Sequence, residues 1–386
     1  MVKEWNTNMV EVFTPGWITC LDESMSIWTN KWTCPGYVFC PRKPHPFGNE
    51  YHSIACGCSS IMFNVEMVEG KDRPQELSND PQNKSTICLL MRLCKALYGT
   101  GKIVILDSGF CVLQGLIELR KVGVFAGALI KKRRYWPKHV PGDAINEYFK
   151  DKKVGECDSL QGTLDGVPYD IFCLKEPDYV MKIMSTYGGL TVRDDQKDSI
   201  RAYYKNGELM NCTFKYMIPF ANHFLYRHMV DDHNSIRHQV PSLEQTWTTH
   251  RWANRVFAFL LAVSEVNSYL ALRYFVWKGK EKMQFMEFRS KLGWELINNQ
   301  YLDEEEDNSG RKGKRRRAGN HDLEKAPPHA KIWMGCRLDL TAKQRYQQYR
   351  CRGKGCKQAI CTYCSCAVGV WLCHNCHVKH CFEMSN

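Results

Sequence analysis

The feature that most constrains the fold is a short apolar run that ends in a carboxylate. Residues 103–106 read Ile-Val-Ile-Leu and are followed directly by Asp107. A continuous apolar run of this length is typical of a strand that is buried on both faces. Residues 112–121 then carry apolar side chains at helical spacing, and residues 124–130 are apolar again. Residues 103–130 therefore predict a strand–helix–strand unit and, with it, an α/β fold.

A second β-type run also ends in an aspartate. Residues 16–21 read Gly-Trp-Ile-Thr-Cys-Leu and precede Asp22. We expect both aspartates at the edge of a sheet, because side chains at strand ends emerge where ligands bind in α/β folds. A third acidic position follows far downstream, where Asp231 and Asp232 are alternatives before a long helical pattern.

Three aspartates from distant segments would suit the cleavage of a phosphodiester. Two Mg²⁺ (or Mn²⁺) ions about 3.5–4 Å apart stabilise the attacking and the leaving oxygen, and such hard ions prefer carboxylate ligands. The hypothesis is that Asp22, Asp107 and Asp231 hold two ions of this kind. For each residue the ordinary alternative stays open, since an aspartate after a strand is often a turn former or a helix N-cap.

The charge balance favours a polyanionic partner. The 386 residues contain 53 Lys and Arg against 41 Asp and Glu, a formal net charge of +12. Such an excess favours nucleic acid first and an anionic membrane surface second, although a merely soluble basic protein fits as well. The candidates for contact with DNA phosphates are Lys131, Lys132, Arg133 and Arg134, and a solvated strand end is their alternative interpretation.

Cysteine usage indicates metal ligands rather than disulfides. The first residues lack the apolar core of a secretory signal. We expect no membrane span, because no stretch approaches the roughly 18 apolar residues that a span needs. The 20 cysteines therefore belong in a reducing compartment, where dense cysteines bind metals more often than they form disulfides.

The Cys-rich end, residues 331–386, predicts a zinc-binding module. Zn²⁺ takes four thiolate or imidazole ligands, and each Cys-x₂-Cys pair provides two. Because so short a segment buries little core, bound metal would supply its folding free energy. We expect two zinc ions, with unpaired reduced cysteines as the alternative. The candidate ligands are Cys351, Cys356, Cys361, Cys364, Cys373, Cys376, His377 and Cys381.

The segment before this module, residues 301–330, is polar and has no apolar period, which predicts a disordered linker. It contains a tight basic cluster that favours nuclear import over nonspecific DNA contact or a charged spacer. The cluster consists of Arg311, Lys312, Lys314, Arg315, Arg316 and Arg317.

Three stretches, in order, resemble the catalytic domain of piggyBac-type transposases and their domesticated relatives. They are residues 13–28 with Asp-Glu-Ser, residues 101–132 around the second aspartate, and residues 227–275 with Val-Asp-x-His-Asn. The resemblance covers roughly residues 1–300 and extends to the Cys-rich end. In the family a sizeable region precedes the first catalytic aspartate, and only about twenty residues precede Asp22. The resemblance therefore implies a copy that lacks most of this N-terminal region.

The resemblance implies an α/β fold with a ribonuclease H-like core, a β-rich insertion and a C-terminal zinc module. It implies metal-dependent strand cleavage and transfer at transposon ends, insertion at TTAA, double-stranded DNA as partner, a homodimer and a nuclear location. The alternative is a domesticated or truncated DNA- or chromatin-binding protein without catalytic activity. The segments expected are 1–16 as the N-terminal remnant, 17–135 and 216–300 as the two halves of the core, 136–215 as the insertion, 301–330 as the linker and 331–386 as the zinc module.

Carried over residue by residue, the catalytic and metal-binding positions are Asp22, Asp107 and Asp231. Asp231 is preferred to Asp232 because it follows Val230 directly, as in the family motif. Asn234 stands where some relatives have another aspartate.

Overall fold

The computed structural model describes residues 1–298, except 42, 44–45, 70–84, 132–141, 193–197, 206, 279 and 281–282, together with short pieces of the C-terminal part. The chain forms two compact units, Met1–Ile297 and Asn298–Asn386.

The first unit contains both strands and helices. Its strands are β1 (Ile18–Ile27), β2 (Tyr37–Phe39), β3 (Phe47–Cys56), β4 (Met62–Met67), β5 (Ile103–Leu106), β6 (Phe125–Leu129), β7 (Cys157–Leu164), β8 (Val167–Lys175), β9 (Val180–Ser185), β10 (Ser199–Lys205) and β11 (Glu208–Phe214). Its helices are α1 (Val2–Val12), α2 (Ser85–Leu93), α3 (Leu113–Lys121), α4 (Gly142–Tyr148), α5 (Ile218–Tyr226), α6 (Met229–Arg237), α7 (Leu243–Thr246), α8 (Trp252–Ala271) and α9 (Phe285–Ile297).

One large mixed sheet organises this unit. Its centre has the order β4–β3–β1–β5–β6. β3 pairs antiparallel with β1, β2 and β4, whereas β1, β5 and β6 run parallel. The helix α3 joins β5 to β6, so the strand–helix–strand unit predicted over 103–130 is confirmed. Gly123 follows α3 with a φ of +78°, a conformation that glycine adopts without steric cost.

The predicted strand-rich insertion extends the main sheet. β9 pairs antiparallel with β6, and β8 and β7 follow it. The strands β10 and β11 pair only with each other among the described strands. The sequence pattern predicted strands here, but it carried no information about the strand with which each would pair.

Helices cover both faces of the sheet. On one face, α2 and α3 bury Leu90 and Leu116 against Leu106 of β5 in one apolar cluster. On the other face, Val230 of α6 and Phe259 of α8 pack in a cluster with β1 and β3. The two faces of β1 and β5 are therefore distinct environments, and the alternation of side chains along each strand decides which residues reach which face.

The helix α8 passes through the second of these clusters. It continues into a π-helical turn, Leu272–Val276. The long helical pattern that follows Asp231 in the sequence is interrupted before α8, because the chain is not helical between Thr246 and Trp252. Contrary to the sequence expectation, Trp252–Val276 is long and apolar enough to cross a membrane by length and composition. Since 61% of its most apolar window is buried inside the protein, packing in the core accounts for its hydrophobicity.

The first helix is an integral part of this unit. The Asn6 amide Nδ2 donates to the Val65 carbonyl (2.8 Å), and its Oδ1 accepts from the Val65 N–H (3.0 Å). Trp5 Nε1 donates to Ser264 Oγ on α8 (2.9 Å). Helix α1, which lies in the segment interpreted as an N-terminal remnant, therefore bonds both to the outer side of β4 and to α8.

The second unit contains short antiparallel pairs among its described residues. β12 (Leu323–Lys325) pairs with β15 (Thr362–Cys364), and β13 (Tyr349–Arg350) pairs with β14 (Ala359–Ile360). β12 falls inside the predicted disordered linker, so that prediction is wrong for these three residues. Their pairing with a distant strand was not visible in the local composition.

The zinc and import predictions fall mostly outside the described residues. Cys351 is buried, Cys356 is half-buried and Cys364 lies in β15. The remaining candidates lie outside the part of the chain that the structure describes: Cys361, Cys373, Cys376, His377, Cys381, Arg311, Lys312, Lys314, Arg315, Arg316 and Arg317.

Candidate active site

Asp22 lies in the middle of β1. The parallel pairing of β1 with β5 stops at Leu21 and Leu106, but its antiparallel pairing with β3 continues through Ile27. The prediction that this strand ends at Asp22 is wrong for that reason. Asp22 nevertheless stands level with the end of β5, where one side of β1 loses its partner strand.

Asp107 follows β5 directly, as predicted. Its N–H donates to the Leu21 carbonyl (3.3 Å), which holds it beside β1. Its Oδ2 accepts from the Gly109 N–H (3.3 Å) and the Ser108 hydroxyl (3.4 Å). Asp107 therefore also caps the short 3₁₀ turn that follows it, the ordinary role considered for it above.

Both carboxylates belong to the same face of the sheet. Side chains two residues apart on a strand share a face, so Asp22 lies on the face of Ile18 and Cys20. By the same alternation Asp107 lies on the face of Ile105. Ile18 and Ile105 pack in one cluster with residues of α5, which identifies this face as the one that α5 and α6 cover.

Two hydrogen bonds place Asp231 alongside Asp22. Cys20 Sγ donates to the backbone carbonyl two residues before α6 (3.2 Å). Further along, Asn234 Nδ2 donates to Ser24 Oγ (3.1 Å). Cys20 and Ser24 flank Asp22 on β1, and their partners flank Asp231 in the chain. The helix α6 thus runs beside β1 with its first turn level with the half-buried Asp22.

Asp231 and Asp107 both act electrostatically on Asp22. Burial raises the pKa of Asp22 to about 7, and repulsion from Asp231 and Asp107 adds to this rise. A hydrogen bond from the Glu23 N–H (2.8 Å) and the charge of Lys43 oppose it. Two carboxylates that are 85 and 209 residues from Asp22 in sequence (107 − 22 and 231 − 22) therefore act on it electrostatically.

The structure distinguishes Asp231 from Asp232. Asp231 raises the pKa of both Asp22 and the Cys20 thiol. Both side chains are exposed; partial burial raises the pKa of Asp232, and the nearby His228 counteracts this. Of the two alternatives, Asp231 is the one directed toward β1.

The chemistry of these donors fits a divalent cation. Carboxylate oxygens are the ligands that Mg²⁺ and Mn²⁺ accept, and a cation would relieve the repulsion that raises the pKa of Asp22. Among the described residues, however, no three His, Cys, Asp or Glu side chains are grouped closely enough to hold a metal ion. Asp22, Asp107 and Asp231 are therefore gathered at one place but stand farther apart than ligands of one ion.

A buried ion pair supports the helix that carries Asp231. The Arg237 guanidinium and the Glu244 carboxylate are 0% and 1% exposed and bond to each other. Arg237 Nη2 also donates to the Met25 carbonyl (2.8 Å), and Ser26 Oγ donates to Glu244 Oε2 (2.6 Å). These bonds attach the end of α6 and the start of α7 to β1.

Sequence reasoning missed two charged neighbours of the aspartates. A methyl group on Gly109 would lie 3.7 Å from Glu23 Oε1 and 3.9 Å from Asp107 Oδ2, so these two carboxylates flank the same turn. Lys43 Nζ donates to the Glu23 carbonyl (3.3 Å). Glu23 could have been noticed as the acid next to Asp22, but nothing in the sequence connected Lys43 with this site.

The basic run that was predicted to bind DNA is described only at its first residue. Lys131 is exposed directly after β6, and Lys132, Arg133 and Arg134 lie outside the described residues. Lys131 is close enough to the buried His223 to contribute to the lowering of its pKa. Positive charge is therefore present beside the face that carries the aspartates.

Comparison with known proteins identifies the family. The family model described as Transposase IS4 matches residues 1–269, more than half of the chain. The fold is similar to that in a cryo-EM structure of the piggyBac transposase synaptic complex with hairpin DNA, with a TM-score of 0.57, 14% sequence identity and 80% of this chain covered. The chain belongs to the piggyBac-type transposase family. This piggyBac-type chain spans 57% of the piggyBac transposase chain in that structure. No curated protein matches it.

Proposed function

We propose that this piggyBac-type chain is a metal-dependent DNA-cleaving enzyme with a ribonuclease H-like core. Asp22, Asp107 and Asp231 are its catalytic carboxylates and hold two Mg²⁺ or Mn²⁺ ions. The observation that carries the proposal is the placement of three aspartates from distant segments on one face of the sheet, where Asp231 and Asp107 both raise the pKa of Asp22. Because like charges placed together cost free energy, such a cluster favours a cationic ligand.

The residues of the chain perform distinct tasks in this proposal. The bound ions would activate the attacking oxygen and stabilise the leaving oxygen of the phosphodiester. Burial and repulsion keep Asp22 ready to lose its proton near neutral pH, which favours ion binding as the pH rises. The pair of Arg237 and Glu244 holds α6 against β1 and so fixes the position of Asp231.

The substrate in this proposal is double-stranded DNA, cleaved at transposon ends and joined at TTAA targets as the family implies. The net charge of +12 and the exposed Lys131 support binding to a polyanion. The proposal extends to a homodimer, to nuclear import through the cluster from Arg311 to Arg317, and to two Zn²⁺ ions in the C-terminal unit.

The test is DNA cleavage by the purified full chain. We expect Mg²⁺- or Mn²⁺-dependent nicking of DNA that carries the genomic flanks of the coding sequence. Asp107→Asn should reduce the rate by about 1000-fold or more, since it removes a carboxylate that would hold the ions. Asp232→Asn, a change of the same type on the same helix as Asp231, is the matched control and should cleave normally. Cleavage that persists in Asp107→Asn would refute the assignment.

One observation favours a second candidate, a DNA-binding protein that does not cut. The described His, Cys, Asp and Glu side chains do not form a ready metal-binding group. If the aspartates never close around an ion, the basic surface alone would remain functional. In that case the full chain would bind the same DNA with and without Mg²⁺, and no variant would change the amount of cleaved product.

A further inference from the structure

Tyr37, Phe39 and Phe47 form an aromatic row on β2 and β3. Phe39 and Phe47 pair across the two strands, and their rings stack with centroids 4.8 Å apart. Tyr37 also stacks with Phe47, with 6.4 Å between the centroids. Phe39 and Phe47 are 57% and 43% exposed. Single exposed apolar side chains are common in folded proteins, but contiguous ones mark interaction sites.

The connection from β1 to β2 presents a further aromatic ring. Trp32 is 85% exposed, the highest value among the large hydrophobic side chains that the structure describes. Lys31 Nζ lies 4.6 Å from the centroid of this ring, a cation–π arrangement. Trp28, four residues earlier, is buried, and its Nε1 donates to the Asn30 carbonyl (2.9 Å). Packing in the core therefore accounts for Trp28 but not for Trp32.

The segment that carries these rings has a one-sided charge. Residues 24–49 contain no Asp or Glu, although the whole chain has 41. Lys31 and Lys43 both belong to this segment, and Lys43 Nζ donates to the carbonyl of Glu23 (3.3 Å), the residue next to Asp22. Exposed aromatic rings interleaved with cations are typical of surfaces that bind single-stranded nucleic acid. A phosphate backbone that approached this segment would meet cations and no carboxylate belonging to it.

The aromatic row lies on the same face of the sheet as Asp22. Asp22 and Ser26 share one face of β1, and Ser26 pairs with Asn49 of β3. Asn49 Oδ1 accepts a hydrogen bond from Trp252 Nε1 of α8, so α8 still covers this face at Asn49. Asn49 in turn pairs with Tyr37, where the aromatic row begins. The row therefore continues this face beyond its helical cover, about 15–20 Å from Asp22 along the strands.

We propose that Trp32 and the aromatic row bind unpaired bases of DNA by stacking, while Lys31 and Lys43 contact the phosphates of the same strand. Bases inside a duplex already stack on one another, so these rings are accessible only to nucleotides outside a base pair. Every base has a π face, and this contact is therefore tolerant of sequence. The inference rests on the proposed function for the choice of DNA as partner, but it requires neither bound metal nor cleavage.

The test measures binding of the full chain to a fluorescent oligothymidine of about 15 nucleotides, by anisotropy in metal-free buffer. We expect Trp32→Ala and Phe39→Ala each to weaken binding by about 5–100-fold, which corresponds to the loss of one stacked base. Trp32→Phe retains a ring and should keep most of the affinity. Tyr204→Ala removes a ring of similar exposure, 77%, from β10; it is the matched control and should bind normally.

Further readouts separate stacking from a structural or a purely ionic role. A strand of abasic sites keeps the phosphates but has no bases, so it should bind more weakly, and Trp32→Ala should weaken it no further. Because Trp32 is exposed, Trp32→Ala should melt at the same temperature as the unchanged chain. An oligonucleotide that contains 5-iododeoxyuridine should form photocrosslinks at Trp32, Phe39 or Phe47, which mass spectrometry locates. If Phe39→Ala does not fold, Trp32→Ala decides alone.

The outcomes separate this inference from the function on which it rests. Unchanged affinity in Trp32→Ala and Phe39→Ala, or an equal loss for the abasic strand, would overturn the stacking role and leave the proposed function standing. The same holds if the unchanged chain binds duplex DNA but not the oligothymidine. A change of sedimentation in Trp32→Ala with unaltered oligonucleotide binding would instead assign the surface to a contact between copies. Failure of the unchanged chain to bind either form of DNA would overturn both proposals.

Discussion

At Asp22, burial and charge both act against the ionised form. The pKa of this carboxyl in the folded chain is about 7, whereas its ordinary value is 3.8. Between these values the folded state binds more protons than the unfolded state. The free energy of unfolding must therefore fall as the pH rises from about 4 to about 7. The protein gives up stability at neutral pH to keep an ionisable group at this place.

We predict that Asp22→Asn stabilises the metal-free protein at pH 8 by an amount on the order of 2–4 kcal/mol. The amide has no charge to bury, and the gain should shrink toward pH 4, where Asp22 is protonated. Urea unfolding at a series of pH values measures this difference. The exposed Asp151→Asn serves as control. A difference between Asp22→Asn and the unchanged chain that stays constant with pH would contradict the charge argument.

The aspartates themselves could be selected from the sequence, because two of them follow apolar strands and the third lies in the Val-Asp-x-His-Asn motif. The residues that interact with them could not be selected from the sequence. Lys43, for example, comes from a loop and donates a hydrogen bond to the Glu23 carbonyl. Such contacts depend on distances between segments, which no spacing along the chain records.

Among the elements, α6 depends on charge as well as on packing. Val230 anchors its first turn in the apolar cluster with β1, while Arg237 in its last turn is fully buried and paired with Glu244. A buried charge that loses its partner is strongly destabilising. The element that carries Asp231 is therefore held at both ends, by different forces.

We expect Glu244→Gln to lower the free energy of unfolding by about 3–5 kcal/mol, because Arg237 then remains buried without a counter-charge. Chemical denaturation of the full chain measures the loss. The double change Arg237→Met with Glu244→Gln should recover part of it. The exposed pair of Lys150 and Glu147 provides the comparison, and Glu147→Gln should have little effect. Similar losses in both single variants would show that burial does not matter here.

Element types were largely predictable from periodicity, and element partners were not. The helical spacing of 112–121 and the apolar runs before Asp107 and after α3 predicted elements that the structure contains. The extension of the sheet through β9, β8 and β7 was missed, because alternation along a strand does not specify its neighbour.

At the scale of the whole molecule, the two compact units differ in how they can be stabilised. The first unit buries a continuous apolar core on both faces of a large sheet. The described strands of the second unit are two or three residues long. Strands this short need additional stabilisation, and metal ligation by the cysteines around them remains the prediction from sequence.

Removal of zinc should therefore affect the two units differently. We predict that the full chain as purified carries two Zn²⁺ ions, detectable by native mass spectrometry. A strong chelator should unfold the C-terminal unit and leave the first unit intact. Hydrogen exchange followed by mass spectrometry would show fast exchange after residue 298 and unchanged protection in β1, β5 and α8. Uniform protection before and after chelation would contradict the zinc module.

The two hydrogen bonds between Asn6 and Val65 have a consequence for self-association. β4 borders the sheet, and an uncovered border strand offers its N–H and C=O groups to any extended segment from another copy. The Asn6 amide bonds to both the N–H and the C=O of Val65. These two groups are therefore not available to pair with a strand from another copy. A chain shortened by its first dozen residues would lose these hydrogen bonds and expose the edge of β4. We expect such a chain to form fibrous aggregates of stacked copies.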